Sequence, residues 1–515
     1  MLSHYLDKLS DLLKTSMTAL KGRPVALVIL LWLSLGSLVS EWPMIDKPVI
    51  VGLLERVTSG PFKAGQKFLF DSYQSRMPRI PESQPVTVVA IDEKSLAEMG
   101  QWPWPRNRMA DLIDKINAMK PLAVGLDIYM PEPDQTSPDK VAANLPAGSQ
   151  VLADGLRALP SHETLLAKSL KAAPTILGAA GFDHAAMTTA DRLLTAPIQT
   201  QGSDPRKFVQ HFDQVLASLP QLQEAAHGQA LLSVALEQGV VRRLPLVMGL
   251  GDTLVPGLAM EMLRVATQSE AIVVHSDDRG IKQVGLADLV VPTQAHGEIW
   301  LHFAKAKSTS DRYVSALDIM NGKADPERFK DKLILLGLTG AGLNDMRTTA
   351  LGELVPGIEI QAQVIEAIFD GKFLVRPFWL KWTETVFLLI FGLILIWYVP
   401  RTESRLAKFL DKVPGAKAAI GMSLNGLIFA TGFLSFRYYG LLVDAASIFI
   451  VSSATLSSLI ASAKMVMSNQ KKAELKQEQK FKEAAAYEAG LQEGLSKAPS
   501  TATPSAAEVQ ATALQ

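Results

Sequence analysis

The fold is decided by the stretch Val86-Thr87-Val88-Val89-Ala90-Ile91-Asp92, a run of apolar, mostly β-branched residues that ends at a carboxylate. Leu122–Leu126 repeats this pattern and ends at Asp127, and Lys332–Leu336 is a third apolar run. Stretches of helical spacing such as Arg108–Lys120 lie between the runs. Continuous apolar strands that alternate with helices are typical of a parallel sheet whose two faces are both covered. The sequence therefore predicts an α/β domain with a mainly parallel sheet.

Two stretches within the domain follow a different pattern. Residues 183–228 are rich in Gln, Ala, Ser and Asp, which predicts an insertion or a separate helical layer. Residues 239–302 contain apolar runs such as Val240–Met248. Turn signals at Asp252 and at Asp278-Arg279-Gly280 separate these runs, so antiparallel strands are predicted here.

Polar side chains collect where the predicted strands end. Ligands of open α/β sheets bind beyond the carboxyl ends of the strands, where Asp92 and Asp127 stand. The glycine-rich run Leu338–Asp345 follows the third strand, and Glu359 opens the last helix of the domain. The candidate ligand-binding residues are Asp92, Arg106, Asp127, Thr339, Asn344, Asp345, Arg347 and Glu359. The alternative is that these side chains cap helices and hold turns.

Two further segments belong to this candidate pocket. Trp102-Pro103-Trp104-Pro105-Arg106 is rigid and aromatic, and it is predicted either to form a pocket wall or to cover the core. Asp127–Asp134 concentrates carboxylates on a proline-stiffened loop, and a hard cation such as calcium or magnesium could use them. The spacing of these carboxylates matches no EF-hand, so no metal site is assigned.

Several classes of chemistry are excluded by composition and motif. The chain has no cysteine, which excludes disulfides, thiolate nucleophiles and Cys-ligated metals. It has no HExxH pair and no GxSxG elbow, and Gly60–Gln66 fails the P-loop pattern. The 51 basic residues are balanced by 51 acidic ones, so nucleic acid is not a predicted partner. The chain is predicted not to be an enzyme, and no catalytic residue or cofactor is assigned.

Apolar stretches long enough for transmembrane helices occur at residues 24–40, 378–400, 418–436 and 445–463. Basic residues cluster before the first stretch, between the second and third, and after the fourth. Positive charge marks the cytoplasmic side of a membrane. Both termini are therefore predicted to be cytoplasmic, with residues 41–376 extracytoplasmic and the protein in a bacterial inner membrane. A cleaved signal peptide is the alternative for the first stretch, but the long segment before it favours an anchor.

The remaining segments are assigned to the cytoplasm. Residues 1–23 are predicted to form an amphipathic helix that lies on the inner leaflet or packs against protein. Residues 401–417 are a predicted loop, residues 464–497 a charged helix and residues 498–515 a disordered tail. The charged helix has no sustained heptad, so a self-standing coiled coil is not predicted.

Eight motifs occur along the outer segment in a characteristic order. They are Asp71–Arg76, Val88–Leu96, Trp102–Arg106, Gly125–Asp134, Gly239–Pro245, Lys332–Thr339, Asn344–Thr349 and Val355–Ala362. In order and content they resemble the second type of CHASE sensory domain over most of residues 45–376. The resemblance implies an extracytoplasmic sensor with one transmembrane helix before it and three after it. The family often has a histidine where Gln361 stands, so a role for that side chain does not carry over.

The resemblance also implies a cytoplasmic output such as a cyclase, a histidine kinase or a serine/threonine kinase. Only 52 residues follow the last predicted span, whereas a catalytic domain needs more than about a hundred. The leading hypothesis is a membrane receptor whose outer domain binds a small molecule, an ion or a protein and signals to a separate cytoplasmic partner. The alternative is a scaffold of an envelope-spanning assembly, self-associating and without a ligand. A hydrolase built on Asp92, Asp127 and Asp345 is the third hypothesis.

Overall fold

A computed structural model describes residues 22–40, 49–184, 190–234, 236–340, 342–343, 345–399 and 416–496. Predictions for Asn344, for residues 1–21, for most of residues 401–417 and for residues 498–515 lie outside these ranges. The helices of the described chain are α1 Arg23–Val39, α2 Val49–Arg76, α3 Glu93–Met99, α4 Arg106–Ala118, α5 Pro138–Ala143, α6 Gln150–Arg157, α7 His162–Ala172, α8 Pro220–Ala225, α9 Leu258–Ala266, α10 Ala316–Met320, α11 Gly357–Phe369, α12 Phe378–Tyr398, α13 Ala416–Tyr439 and α14 Ala445–Ser496.

The strands complete a mixed α/β fold. They are β1 Val86–Ile91, β2 Ala123–Leu126, β3 Thr175–Phe182, β4 Ile198–Gly202, β5 His211–Phe212, β6 Gln214–Leu216, β7 Gly228–Leu231, β8 Val240–Val241, β9 Arg243–Pro245, β10 Val247–Leu250, β11 Thr253–Pro256, β12 Ile272–Asp277, β13 Gly280–Leu286, β14 Leu289–Pro292, β15 Glu298–Trp300, β16 Tyr313–Ser315, β17 Leu333–Leu338, β18 Met346–Thr349 and β19 Leu354–Pro356.

The largest sheet has the order β16-β1-β17-β2-β3-β6, and β7 also pairs with β3. Val88 lies opposite Leu335, which lies opposite Gly125 in the next parallel strand. The pairs of this sheet are parallel except β3 with β6, which is antiparallel. The chain returns to the middle of the sheet with β17, so strands that are distant in sequence end side by side.

Both faces of this sheet are buried, which explains its continuous apolar strands. Val86 and Val88 face one core together with Ile360 and Val364 of α11. Residues of the other parity face a second core with α4 and α7, including Val89, Ile91, Met109, Ile113 and Leu166. Helix α9 approaches the first face so closely that a Cβ on Gly125 would lie 2.5 Å from Met262 Sδ. Glycine is the residue that permits this approach.

Smaller sheets make the domain mixed rather than purely parallel. The hairpins β10–β11 and β12–β13 are antiparallel and turn at Gly251-Asp252 and Asp278-Arg279, which confirms the strands predicted for residues 239–302. The alternative of a helical layer in residues 183–228 is wrong for the part described there. That part contains β4, β5 and β6 beside one short α-helix, α8, and β4 pairs with the distant strand β12. Long-range pairing has decided the structure of a segment whose own sequence is weakly patterned.

Each of the four predicted spans is helical in its described part. By length and composition, α12 and the part Ala445–Ala489 of α14 are apolar enough to cross a membrane, and α1 is a shorter apolar helix of 17 residues. Helix α14 continues without a break to Ser496, through the segment predicted as a separate tail helix. The chain divides into two compact units, of which one comprises residues 33–388 and 415–450. This unit holds the outer domain, the first half of α12 and all of α13.

Candidate functional site

The carboxyl ends of β1, β17 and β2 lie side by side at one edge of the large sheet. The backbone amides of Thr339 and Gly340 both donate to the carbonyl of Ile91, at 3.1 Å. Asp92 and Asp127 follow the two flanking strands. The predicted residues Asp92, Asp127 and Thr339 therefore share this edge, as the strand order requires.

Asp92 serves as a helix cap at this edge. Its Oδ1 accepts from the backbone amide of Ser95 at 2.8 Å and from the Ser95 hydroxyl at 2.6 Å. The hydroxyl of Ser315 donates to the same oxygen at 2.9 Å. These bonds fix the start of α3, so the capping alternative describes the observed contacts of Asp92. A ligand-binding role for Asp92 stays a prediction.

Asp127, Asp345 and Arg347 form a charged group beside the start of α11. Burial raises the pKa of Asp127 to about 7, with a further contribution from the carboxylate of Asp345 and an opposing one from Arg347. Arg347 Nη2 lies 3.2 Å from Asp345 Oδ1, and burial raises the pKa of Asp345 as well. A Cβ on Gly357 would lie 2.6 Å from Asp345 Oδ2, so the carboxylate rests directly on the first residue of the helix.

Arg106 belongs to a different group, around Asp134. Its backbone amide donates to Asp134 Oδ2 at 2.8 Å, and burial lowers the pKa of its guanidinium. His162 Nδ1 lies 2.8 Å from the same Asp134 oxygen. Although burial alone would raise it, hydrogen bonds from Thr136, Arg106 and His162 lower the pKa of Asp134 to about 2. These contacts hold the loop between β2 and α5 against the start of α4.

Glu359 is turned into the protein interior rather than toward the sheet edge. It accepts hydrogen bonds from Tyr313 Oη at 2.5 Å, from Gln363 Nε2 at 2.8 Å and from Thr309 Oγ1 at 3.0 Å. Burial raises the pKa of Tyr313 far above its usual range, and the Glu359 carboxylate adds to the effect. Arg312 Nη1 lies 3.4 Å from Glu359 Oε1. The observed contacts are those of a buried structural network, and a role for Glu359 in ligand binding stays a prediction.

A large cavity lies elsewhere, between α2, the hairpins of residues 239–302 and the first turns of α12. It has a volume of about 1680 Å³ and is formed within the compact unit of residues 33–388 and 415–450. We call it the α12 cavity. Its aromatic lining consists of Phe70, Tyr73, Phe208, Trp300, Phe378, Trp379 and Trp382. Its basic lining consists of Lys63, Lys67, Lys207, Arg243, Arg279, Lys282, Arg376 and Lys381, against the acidic residues Glu55, Glu237, Glu298 and Asp444.

The acidic residues of the cavity wall are already paired. Lys67 Nζ lies 3.0 Å from Glu237 Oε2, and Arg243 binds both Glu237 and Glu298. Burial would lower the pKa of Arg243, but these two carboxylates keep it above the usual value for arginine. The remaining two acids, Glu55 and Asp444, lie near Lys63 and Lys381. The wall therefore carries an excess of positive charge.

Cations and aromatic rings stack on each other in this wall. Arg243 Cζ lies 4.9 Å from the ring centroid of Trp300. Arg279, at the turn between β12 and β13, has its Cζ 4.7 Å from the ring centroid of Phe378, the first residue of α12. Cation–π contacts of this kind are worth about 0.5–1 kcal/mol when exposed and more when desolvated. The second contact joins a turn of the outer domain to the helix that leads out of it.

A network of ions surrounds the start of α12, and we call it the α12 ion network. Arg376 Nη2 lies 2.7 Å from Glu384 Oε2, and Glu384 Oε1 accepts the backbone amide of Asp444 at 2.7 Å. Gln66 Nε2 of α2 donates to Asp444 Oδ2 at 2.7 Å, and Lys381 Nζ lies 3.6 Å from the same oxygen. These contacts connect α2, α12 and the residue that precedes α14.

Sequence reasoning located only some of this lining. Trp379 and Trp382 stand at the start of the second predicted span, where tryptophan is typical of a membrane boundary. Lys207, Arg279 and Trp300 lie in three separate segments, and no local pattern indicates that they line one cavity together with Phe378. Their basic and aromatic character was visible, but their proximity depends on the register of the hairpins.

Comparison with known proteins identifies the family of the chain. The family model of the CHASE2 domain matches residues 48–398, which is well over half of the chain. No curated protein and no solved structure matches the chain.

Proposed function

Because the chain belongs to the CHASE2 family, whose domains are extracytoplasmic and sensory, we propose that it is a membrane-anchored receptor. Its outer domain binds a ligand in the α12 cavity and signals through the membrane helices to a separate cytoplasmic partner. The observation that supports this proposal best is the composition of the cavity wall. Outer-domain hairpins and the first turns of α12 line the same cavity, so a bound ligand contacts both at once.

The contact between Arg279 and Phe378 supplies a first step for the signal. A ligand shifts a conformational equilibrium only by its different affinities for the two states. Any ligand anion that draws the Arg279 guanidinium away from the Phe378 ring, 4.7 Å distant, changes a contact at the first residue of α12. Occupancy of the cavity thus alters the contact between Arg279 and Phe378 that holds the start of α12.

The α12 ion network supplies a second step. Glu384 of α12 binds Arg376 and the backbone amide of Asp444, which directly precedes α14. Tyr73 of α2 packs on Phe433 and Phe436 of α13, with ring centroids 5.7 Å apart in both cases. A displacement of α12 therefore strains bonds to the start of α14, and α14 extends to Ser496 as one helix.

The proposal includes a topology with four membrane spans. Helices α1, α12, α13 and the first part of α14 cross the membrane, the large domain is periplasmic and both termini are cytoplasmic. The excess of basic residues at the predicted cytoplasmic flanks supports this orientation. The part of α14 beyond Lys464 then reaches into the cytoplasm and presents the surface that a partner would bind.

A pull-down from native membranes, read by mass spectrometry, tests the proposal. The full chain is compared with a chain that ends after Lys464, and a chain whose residues 465–496 are scrambled at constant composition serves as the control. We expect a kinase, a cyclase or a response regulator that is recovered with the full chain and lost from both variants. Recovery of envelope components that do not need the tail would overturn the receptor mechanism and favour the scaffold.

A further inference from the structure

We infer that the α12 cavity binds an anionic phospholipid, with the phosphate among Lys207, Arg279 and Lys282 and the acyl chains against Phe378, Trp379 and Trp382. The inference rests on the proposed function, because it names the ligand of the same cavity. It comes from the coexistence of exposed cations and exposed aromatic rings in one wall.

The cationic half of the site carries more positive charge than its neighbouring carboxylates neutralise. Lys207, Arg279 and Lys282 are exposed at the cavity wall. Within the described residues, no carboxylate lies within ion-pair distance of Lys207 or Arg279, and Lys282 Nζ is 3.2 Å from the solvent-exposed Asp277. Guanidinium and ammonium groups bind phosphate oxygens through charge-assisted hydrogen bonds. The carboxylates of the wall do not oppose an anion strongly, because each already has a cationic neighbour.

The apolar half of the site begins beside this charge. Trp379 is 57% exposed and Trp382 is 43% exposed, both in the first two turns of α12. Tryptophan in such positions is typical of the boundary between lipid headgroups and acyl chains. Arg279 Cζ stands 4.7 Å from the ring centroid of Phe378, so the cationic and apolar halves meet at this contact. A soluble anion would use only the first half, whereas a phospholipid uses both.

The size of the cavity agrees with this assignment. Pockets for small molecules typically have volumes of about 300–1,000 Å³. The α12 cavity, at about 1680 Å³, exceeds that range. A compact metabolite would leave much of the space to water, while a diacyl lipid can place its headgroup and part of its chains there.

Native mass spectrometry of the full chain in detergent tests the inference. The chain is titrated separately with dioleoyl phosphatidylglycerol, with dioleoyl phosphatidylcholine and with glycerol 3-phosphate. The variant K207Q/R279Q removes two exposed cavity charges, and K323Q/K330Q removes two exposed lysines outside the cavity. All four positions are at the surface, so the substitutions should leave the fold intact.

We expect phosphatidylglycerol to bind more tightly than phosphatidylcholine, and K207Q/R279Q to weaken its binding roughly 25-fold, since each of the two basic residues contributes on the order of a factor of five near an anionic lipid. K323Q/K330Q should bind as the unaltered chain does, which separates this site from lipid that adheres to other basic surfaces. Equal binding of the two lipids, an equal loss in both variants, or glycerol 3-phosphate binding as well as phosphatidylglycerol would overturn the inference.

Failure of the lipid site can be distinguished from failure of the proposed receptor function. If a cytoplasmic partner is lost with the tail but phosphatidylglycerol shows no preference for the intact cavity, the receptor stands and the lipid assignment fails. If the lipid binds as expected but no partner depends on the tail, the receptor mechanism fails while the lipid site stands.

Discussion

Arg376 and Glu384 form an ion pair with two parallel hydrogen bonds, one of 2.7 Å from Nη2 to Oε2 and one of 3.1 Å from Nη1 to Oε1. Arg376 lies just before α12, and Glu384 lies in the second turn of that helix. Their side chains are 13% and 8% exposed, so water screens the pair weakly. The pair connects the residue that precedes Pro377 and α12 to the second turn of the helix, and Glu384 extends the contact to the backbone of Asp444.

Breaking this pair should destabilise the chain more than removing it whole. Glu384→Gln leaves the Arg376 charge without its buried carboxylate, and we expect a loss of about 3 kcal/mol or more in the free energy of unfolding. The double variant R376Q/E384Q should lose less than the sum of the two single variants. Denaturant unfolding of the full chain in detergent measures this double-mutant cycle.

The exposed pair Lys482–Glu478 is the matched control, because its side chains are 74% and 60% exposed. Its double replacement should leave the unfolding transition unchanged, as expected for a solvent-screened pair. Additive losses at Arg376 and Glu384 would show that the two side chains are not coupled.

Asp127 should make stability fall as pH rises. Its pKa in the folded chain is about 7 because of burial and the nearby Asp345, with Arg347 opposing, whereas an unfolded aspartate titrates near 4. Between about pH 4 and 7 the folded chain therefore binds more protons than the unfolded chain, and the free energy of unfolding decreases with pH. Relative to the unaltered chain, Asp127→Asn should gain on the order of 2–4 kcal/mol from pH 5 to pH 8. Urea unfolding at both pH values measures the difference.

The control for this pH effect is Asp111→Asn, an exposed position on α4. It should follow the pH dependence of the unaltered chain. A D127N profile parallel to that of D111N would contradict the raised pKa of Asp127.

Removal of the Asp92 carboxylate should affect stability through the helix cap. Asp92→Ala loses the bonds from Ser95 and Ser315 to Oδ1 and should cost about 1–2 kcal/mol. Asp92→Asn keeps an acceptor oxygen and should cost less. Thermal unfolding ranks the variants. Binding of phosphatidylglycerol should be the same in both, because Asp92 does not line the α12 cavity; a specific loss of ligand binding in D92N would restore Asp92 to a binding role.

Arg79 should be among the most sensitive positions of the outer domain. Its Nη1 and Nη2 bind Asp370 Oδ2 and Glu366 Oε2 at 2.8 and 2.9 Å, with all three side chains nearly inaccessible to water. Arg79→Met leaves these two carboxylates without that partner and should cost about 3–5 kcal/mol. Denaturant unfolding provides the measurement. Arg157→Met, at a pair that is half exposed, should be neutral, and a neutral R79M would show that the two acids are satisfied without it.

The local pattern of apolar residues was sufficient to predict the central strands of the main sheet. The strand predicted at Val86–Ile91 has those bounds in the structure, and the strand predicted at Leu122–Leu126 is Ala123–Leu126. A strand buried on both faces needs an uninterrupted apolar run, which few other elements of this length require. The edge where Asp92, Asp127 and Thr339 stand follows from the same reasoning, because parallel strands place their carboxyl ends together.

The direction of individual side chains did not follow from pattern. Asp345 precedes α11 and Glu359 lies in its first turn. Glu359 nevertheless faces the buried Tyr313, while Asp345 lies at the sheet edge with Arg347. Residues two positions apart in a helix point to nearly opposite sides, and only the packing of α11 on β1 selects which side is inside.

The sequence by itself determined the sensory family, the main strands and the apolar helices, because composition and periodicity are local properties of the chain. Tertiary structure alone decided that Arg279 meets Phe378 and that Asp444 meets both Glu384 and Gln66. These partners lie far apart in sequence, and their approach depends on strand register and helix packing, which no single segment specifies. The α12 cavity, formed where those segments converge, is a product of the fold as a whole.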